Sequence, residues 1–128
     1  MNLVDSCGWL EYFGNGSNAN FFAPVIENVG ELIVPSMVVF EVSRRLQKLF
    51  GAEGEARGMM FLEKGLYING GDIAFMRQAA AASALHKLAL ADAIIWQSAQ
   101  SHQAKLYTQD VDLKGLPGVV YQEKRKPT

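Results

Sequence analysis

Residues 88–110 read Leu-Ala-Leu-Ala-Asp-Ala-Ile-Ile-Trp-Gln-Ser-Ala-Gln-Ser-His-Gln-Ala-Lys-Leu-Tyr-Thr-Gln-Asp. Two elements are written into this stretch. Ala91–His102 has the length of a helix and is apolar through its first turn, and Lys105–Thr108 is a short apolar run of the kind that makes a buried strand. The same alternation continues outward. Met1–Val4, Glu31–Val34, Leu66–Asn69 and Gly118–Tyr121 are further strand candidates. Val38–Phe50 carries Val42, Leu46, Leu49 and Phe50 at helical spacing, with Ser36 as a candidate cap. Asp72 can cap Ile73–Lys87, an alanine-rich helix ending in His86 and Lys87, where the helix dipole favours cations. Residues 14–20 and 51–58, rich in Gly, Asn and Ser or in Gly and Glu, read as loops. Strands separated by helices need crossover connections, so the fold class is α/β, with a mainly parallel sheet covered on both faces.

The chain has 128 residues, the size of a single domain spanning 1–128. Its 49% apolar and 20% charged composition excludes a disordered polymer. No run approaches the roughly 18 apolar residues of a membrane span, and the first twenty residues carry no Lys or Arg, so neither a membrane anchor nor a charged leader is expected. A lone cysteine, Cys7, excludes an internal disulfide framework and fits a reducing, cytoplasmic setting. With His86 and His102 as the only histidines, a structural zinc site of the usual kind cannot be assembled. The net charge of −1 excludes a strongly basic polynucleotide binder but is unevenly spread. Residues 1–43 hold five acids and no base; Arg44, Arg45 and Lys48 follow, and Lys124, Arg125 and Lys126 form a basic tail at about 123–128.

Four acids fall at or near the carboxyl ends of the strands, the edge where open parallel sheets bind ligands. Asp5 follows the first strand, and Asp110 follows the fourth. Asp92 opens the helix feeding that fourth strand, and Glu41 lies in the helix after the second. Asp112 is a fifth candidate. Each has an ordinary structural use: an Asx-turn for Asp5, a helix cap for Asp92, an i+4 pair with Arg45 for Glu41, a turn for Asp110 and Asp112. Together they are harder to explain that way. Asp92 and Glu41 have apolar neighbours on both sides, where an unpartnered carboxylate is costly. Converging carboxylates repel unless a cation joins them. No protein base precedes residue 44, so a divalent ion with hard oxygen ligands, Mg²⁺ or Mn²⁺, answers best. Such an ion activates water and clamps a phosphodiester, the chemistry of a nuclease.

At these residues the chain resembles a PIN-domain ribonuclease, specifically a VapC-type toxin of a bacterial toxin–antitoxin pair. The likeness is carried by the opening Val4-Asp5-Ser6-Cys7-Gly8-Trp9-Leu10-Glu11-Tyr12-Phe13, by Val34-Pro35 leading to Phe40-Glu41-Val42, by Leu88–Ile95, by Leu106-Tyr107-Thr108-Gln109-Asp110, and by Asp112 with Leu113–Val119. The resemblance implies a PIN-like three-layer α/β/α fold. It implies that Asp5, Glu41, Asp92 and Asp110 form an acidic quartet holding Mg²⁺ or Mn²⁺, with Asp112 as an extra acid and Ser6 and Thr108 as supporting hydroxyls. It also implies RNA as substrate, inhibition by a cognate VapB-like antitoxin, and a homodimer. Two positions depart from the family's pattern: Cys7 and Ala89 stand where Ser or Thr is usual, which removes two hydroxyls from around the acids. Within the expected helix at about 52–64, Gly54 and Gly58 are poor helix formers.

Other residues have two uses each. Arg44, Arg45 and Lys48 can grip RNA phosphates or form the solvated face of a helix. Trp9, Tyr12 and Phe13 can stack a base or fill the core. Two other functions fit the length and alternation: a phosphoacceptor receiver domain, which lacks here the acidic pair it needs, and a catalytically inactive PIN-fold binding protein.

Overall fold

In a computed structural model of the chain, which describes residues 1–125, five short strands form one wholly parallel sheet. They are β1 (Asn2–Val4), β2 (Leu32–Pro35), β3 (Leu66–Ile68), β4 (Lys105–Thr108) and β5 (Val119–Tyr121), in spatial order β3-β2-β1-β4-β5. Five helices cover the sheet in an α/β/α sandwich: α1 (Ser6–Phe13), α2 (Ala19–Glu27), α3 (Ser36–Leu62), α4 (Ile73–His86) and α5 (Leu90–Ser101). Lys126, the last base of the expected tail, lies outside the described residues. Every expected strand forms, and the fold class is the one the alternation implies. The strand order is not the 2-1-3-4-5 order of receiver-like folds, which removes the phosphoacceptor alternative.

The central strands are buried on both faces. Leu3, Val4, Leu32 and Leu106 are fully inaccessible, and Ile33 and Val34 nearly so. Trp9 and Phe22 close the core from α1 and α2, and Val38, Val42 and Leu46 close it from α3. Trp9 therefore packs inside, in an aromatic group with Tyr12 and Phe13, as its core reading holds. Gly8 permits this. A Cβ there would fall 2.5 Å from Val4 Cγ1 and 2.7 Å from Phe22 Cε1, so only glycine lets α1 lie this close to β1 and α2.

Residues 14–18 form the turn expected of them, but both loop readings run too far, and the helix expected at about 52–64 forms. Residues 19–20 start α2, whose Ala19, Phe22, Val25 and Ile26 bury one face despite the internal Pro24. Residues 52–58 are helical and belong to α3, which turns back on itself at Gly51 (φ 69°, ψ −171°), a conformation open to glycine. The returning segment packs on the outgoing one. A Cβ on Gly58 would lie 2.3 Å from Leu46 Cδ1, and Ser43 Oγ donates to Glu55 Oε1 at 3.1 Å. The glycines that weaken the helix as a local sequence thus allow the close approach of its two halves. Ser36 does not cap α3: it is the first helical residue, and its Oγ accepts from the Gly70 N–H at 3.0 Å, tying α3 to the segment after β3. Asp72 caps α4 as expected, accepting from the Phe75 N–H at 2.8 Å. Among the described residues no single helix is long and apolar enough to cross a membrane.

Candidate metal centre

With β2 and β3 on one side of β1 and β4 and β5 on the other, the chain's direction of winding reverses between β1 and β4. The carboxyl ends of those strands frame a crevice. The register pairs Val4 with Tyr107, so the next residue of each strand, Asp5 and Thr108, meet at its floor. Asp5 is 3% exposed and caps α1, with Oδ1 accepting from the Gly8 N–H at 3.0 Å. Thr108 Oγ1 donates a short bond to Asp5 Oδ2 and accepts from the Asp110 N–H at 2.9 Å. Thr108 thus bridges two of the acids. Cys7 also reaches this carboxylate, with Sγ 3.1 Å from Oδ1 and 3.2 Å from Oδ2. The hydroxyl missing from this position is replaced by a weaker thiol donor. Burial and the neighbouring Asp5 charge raise the Cys7 pKa, so the thiol stays protonated and can donate. Burial also raises the Asp5 pKa, against the opposing hydrogen bonds from Thr108, Cys7 and Gly8.

The remaining acids arrive from the helices that follow β2 and precede β4. Glu41 lies in the second turn of α3. It does not pair with Arg45, the alternative open from its spacing; Ser6 Oγ donates to its Oε1 at 2.7 Å instead. Ser6 thus links α1 to the third acid-bearing element. Asp92 lies in the first turn of α5 rather than at its cap, a place taken by Ala89. Asp110 turns the chain after β4, accepting from the Asp112 N–H at 2.9 Å. Carboxylate oxygens of Asp92, Asp110 and Asp112 lie within 4.8 Å of one another, a spacing that one cation can span. Asp5 and Glu41 adjoin this trio.

The electrostatics show how close the convergence is. The Asp92 pKa is pushed up to about 7, first by burial and then by the charges of Asp110, Asp5, Glu41 and Asp112 in turn. The other four acids named from the sequence thus all act on the Asp92 carboxyl. Among the described residues no lysine or arginine forms an ion pair with any of them; the ion pair present joins the Met1 amino group to Glu31 at 3.4 Å. Asp92 makes no side-chain hydrogen bond among the described residues either. An all-oxygen donor set with uncompensated negative charge suits a hard divalent cation. His86 and His102 take no part: His86 packs edge-on against Trp96 and His102 Nδ1 lies 2.9 Å from the Ser98 carbonyl oxygen.

Beside the acids runs an open groove of about 1060 Å³, lined by Ser36, Met37, Phe40, Glu41, Arg44, Arg45 and Lys48 of α3 and by Ala89–Ala91. The three bases, which as a helical pattern alone read sooner as a solvated face, line the groove that holds Glu41. Phe40, 62% exposed, adds an aromatic face to the groove.

The Ala89 departure has a measurable consequence. Ala89 holds the extended backbone of an N-cap (φ −63°, ψ 160°) but offers no side-chain acceptor to α5. Ala89→Ser is expected to stabilise the protein by about 1 kcal/mol, since N-cap hydroxyls contribute roughly 0.5–2 kcal/mol. Thermal unfolding followed by circular dichroism would show a Tm rise of about 3–5 °C; an unchanged or lower Tm would mean the serine does not cap.

A protein-family model described as PIN domain matches residues 3–119. A toxin–antitoxin complex from Klebsiella pneumoniae contains a chain 27% identical, with a TM-score of 0.79 over 94% of this chain and 96% of that one. VapBC2 from Rickettsia felis, crystallised with a DNA fragment from its promoter, contains a chain 16% identical, with a TM-score of 0.70 over 95% of this chain and 97% of that one. A protein from Pyrobaculum aerophilum is 18% identical, with a TM-score of 0.70 over 94% and 90% of the two chains. The last two likenesses speak to the fold alone. No curated protein sequence matches the chain.

Proposed function

The chain belongs to the PIN-domain family, and from that premise we propose that it is a metal-dependent endoribonuclease acting as the toxin of a toxin–antitoxin pair. The observation that carries this reading is the convergence of Asp5, Glu41, Asp92, Asp110 and Asp112 on one crevice with, among the described residues, no protein base in an ion pair with them. Asp92, Asp110 and Asp112 would hold Mg²⁺ or Mn²⁺ directly, with Asp5 and Glu41 completing the charge around it. The ion would supply water activation and charge stabilisation for phosphodiester hydrolysis. Asp5 is kept rigid for this by Thr108, Cys7 and Gly8, and Glu41 is oriented by Ser6. Arg44, Arg45 and Lys48 would grip backbone phosphates along the groove, while Phe40 offers a face on which an unpaired base can stack. Stacking on aromatic side chains is how single-stranded RNA is commonly held.

The Klebsiella relative comes from a toxin–antitoxin complex, which supports a cognate, VapB-like antitoxin as the partner of this chain. A second copy of the chain is a further expected partner. The experiment is cleavage of a mixed-sequence single-stranded RNA by the purified protein, with product ends mapped. Cleavage with Mn²⁺ or Mg²⁺ that disappears in excess EDTA is expected. Undiminished cleavage in EDTA would overturn the metal reading, and intact RNA with either ion would favour an inactive binding protein of the same fold.

A further inference from the structure

Beneath the end of β4 lies a second polar cluster that this reading leaves without a role. Asn18 and Gln109 are 3% and 6% exposed, unusual burial for two amides on the loop before α2 and the turn after β4. Glu11 of α1 holds both residues, one by its backbone and the other by its side-chain amide. Glu11 Oε1 accepts from the Asn18 backbone N–H at 3.0 Å, and Oε2 accepts from Gln109 Nε2 at 3.1 Å. Asn18 Nδ2 donates to Gln109 Oε1 at 3.0 Å, which closes a ring through the Glu11 and Gln109 side chains and both the backbone and side chain of Asn18. The same Nδ2 donates to the Glu123 carbonyl at 3.0 Å. Gly16 leaves room for this placement of Glu11, since a Cβ there would fall 2.1 Å from Glu11 Oε1 and push the carboxylate aside.

The ring's location gives it a use. Gln109 sits between Thr108, which holds Asp5, and Asp110, which belongs to the acidic trio. The other bonds made by Asp110, to Thr108 Oγ1 and from the Asp112 N–H, are local and fix only the shape of residues 108–112. The Gln109 amide ties that turn to residues 91 and 98 positions away in the chain, on a different layer of the molecule. The geometry points to Glu11, Asn18 and Gln109 as positioning residues: a clasp that sets how far Asp110 and Asp112 reach toward Asp92. This rests on the divalent-ion reading above. Partners behind metal ligands typically change metal affinity by about 10–100-fold when removed.

A clasp that only staples the 14–18 loop would affect stability and leave ion binding alone, so the two are separable. Mn²⁺ affinity would be measured by electron paramagnetic resonance of the free ion, on wild type, Gln109→Met and Glu11→Gln, each held well below its own Tm. Gln109→Met keeps the length of the side chain and removes both amide bonds; about tenfold weaker Mn²⁺ binding is expected. Glu11→Gln leaves one carbonyl oxygen where two acceptors stood, and a smaller loss is expected. Gln97→Ala, which breaks a surface bond to Gln78 on the far part of α5, should bind as wild type does. Wild-type affinity in Gln109→Met, with or without a lower Tm, would overturn the clasp. If Gln109→Met does not fold, Glu11→Gln decides on the same criterion. Absence of Mn²⁺ binding in the wild type would instead overturn the divalent-ion reading, and the clasp's role with it.

Discussion

Asp92→Asn is expected to lower RNA cleavage by about 10³-fold or more, which is roughly 4 kcal/mol of transition-state stabilisation, while making the metal-free protein more stable at pH 8. The two effects share one cause. Asp92 is half-buried, has no ion-pair partner among the described residues, and faces the charges of Asp110, Asp5, Glu41 and Asp112. A cation relieves that repulsion, and so does removal of the charge. Asn is nearly isosteric and Asp92 makes no hydrogen bond that the amide would forfeit, so the fold is retained. Because the carboxyl is half exposed, solvent screening cuts the benefit well below a full conversion of its pKa shift, to about 1–2 kcal/mol. That corresponds to a Tm rise of roughly 3–8 °C. Gel-resolved cleavage of one RNA and thermal unfolding of the same preparation measure both. Cleavage within about tenfold of wild type would remove Asp92 from the proposed site, since loss of even a partner behind a metal ligand typically costs about 10–100-fold. A fall in Tm at pH 8 would show that the carboxylate is stabilised by something other than an ion.

How much of this was readable beforehand depended on whether a signal was local. The five strands and α4 and α5 are short apolar runs or segments of helical length, α4 with its own cap at Asp72, and they fall where the pattern put them. The acids were legible because each stands beside a strand end or inside an apolar run, where its cost is evident without coordinates. What could not be read was long-range. α2 follows a Gly- and Asn-rich turn and contains Pro24, both local signs of a loop, and only packing of Phe22, Val25 and Ile26 on the core makes it a helix. The return of α3 after Gly51 is similar: Gly54 and Gly58 lower helix propensity, yet they are the residues that let its two halves meet. The Glu11–Asn18–Gln109 ring joins three segments whose sequences give no hint of one another. Ser36 illustrates the reverse error, a plausible local cap whose hydroxyl is used by Gly70 instead.

The pH dependence of the metal-free protein should run against the usual expectation for carboxylates, and this provides the sharpest test of the electrostatic basis of the site. A carboxylate stabilised by partners has a lowered pKa, and its protein gains stability as pH rises. Asp92 is the opposite case. Its pKa is about 7 in the folded chain against 3.8 for the ordinary group. Between those values the folded state holds a proton that the unfolded state has lost, so stability falls as pH rises through that window and levels off above it. Burial raises Asp5 in the same direction. A divalent ion competes with that proton, so its binding should strengthen by up to about tenfold per pH unit below 7 and level off above. Added Mn²⁺ should therefore raise Tm little at pH 5.5 and strongly at pH 8; at a hundred times its dissociation constant the stabilisation is about 2.7 kcal/mol. Unfolding scans at pH 5.5, 6.5 and 8, with EDTA and with Mn²⁺, give both slopes. Asp92→Asn should flatten both slopes. A Mn²⁺ shift of equal size at all three pH values would mean that the ion does not displace a proton from this cluster. A metal-free Tm that climbs steadily from pH 5.5 to 8 would mean that the acids are already compensated within the protein.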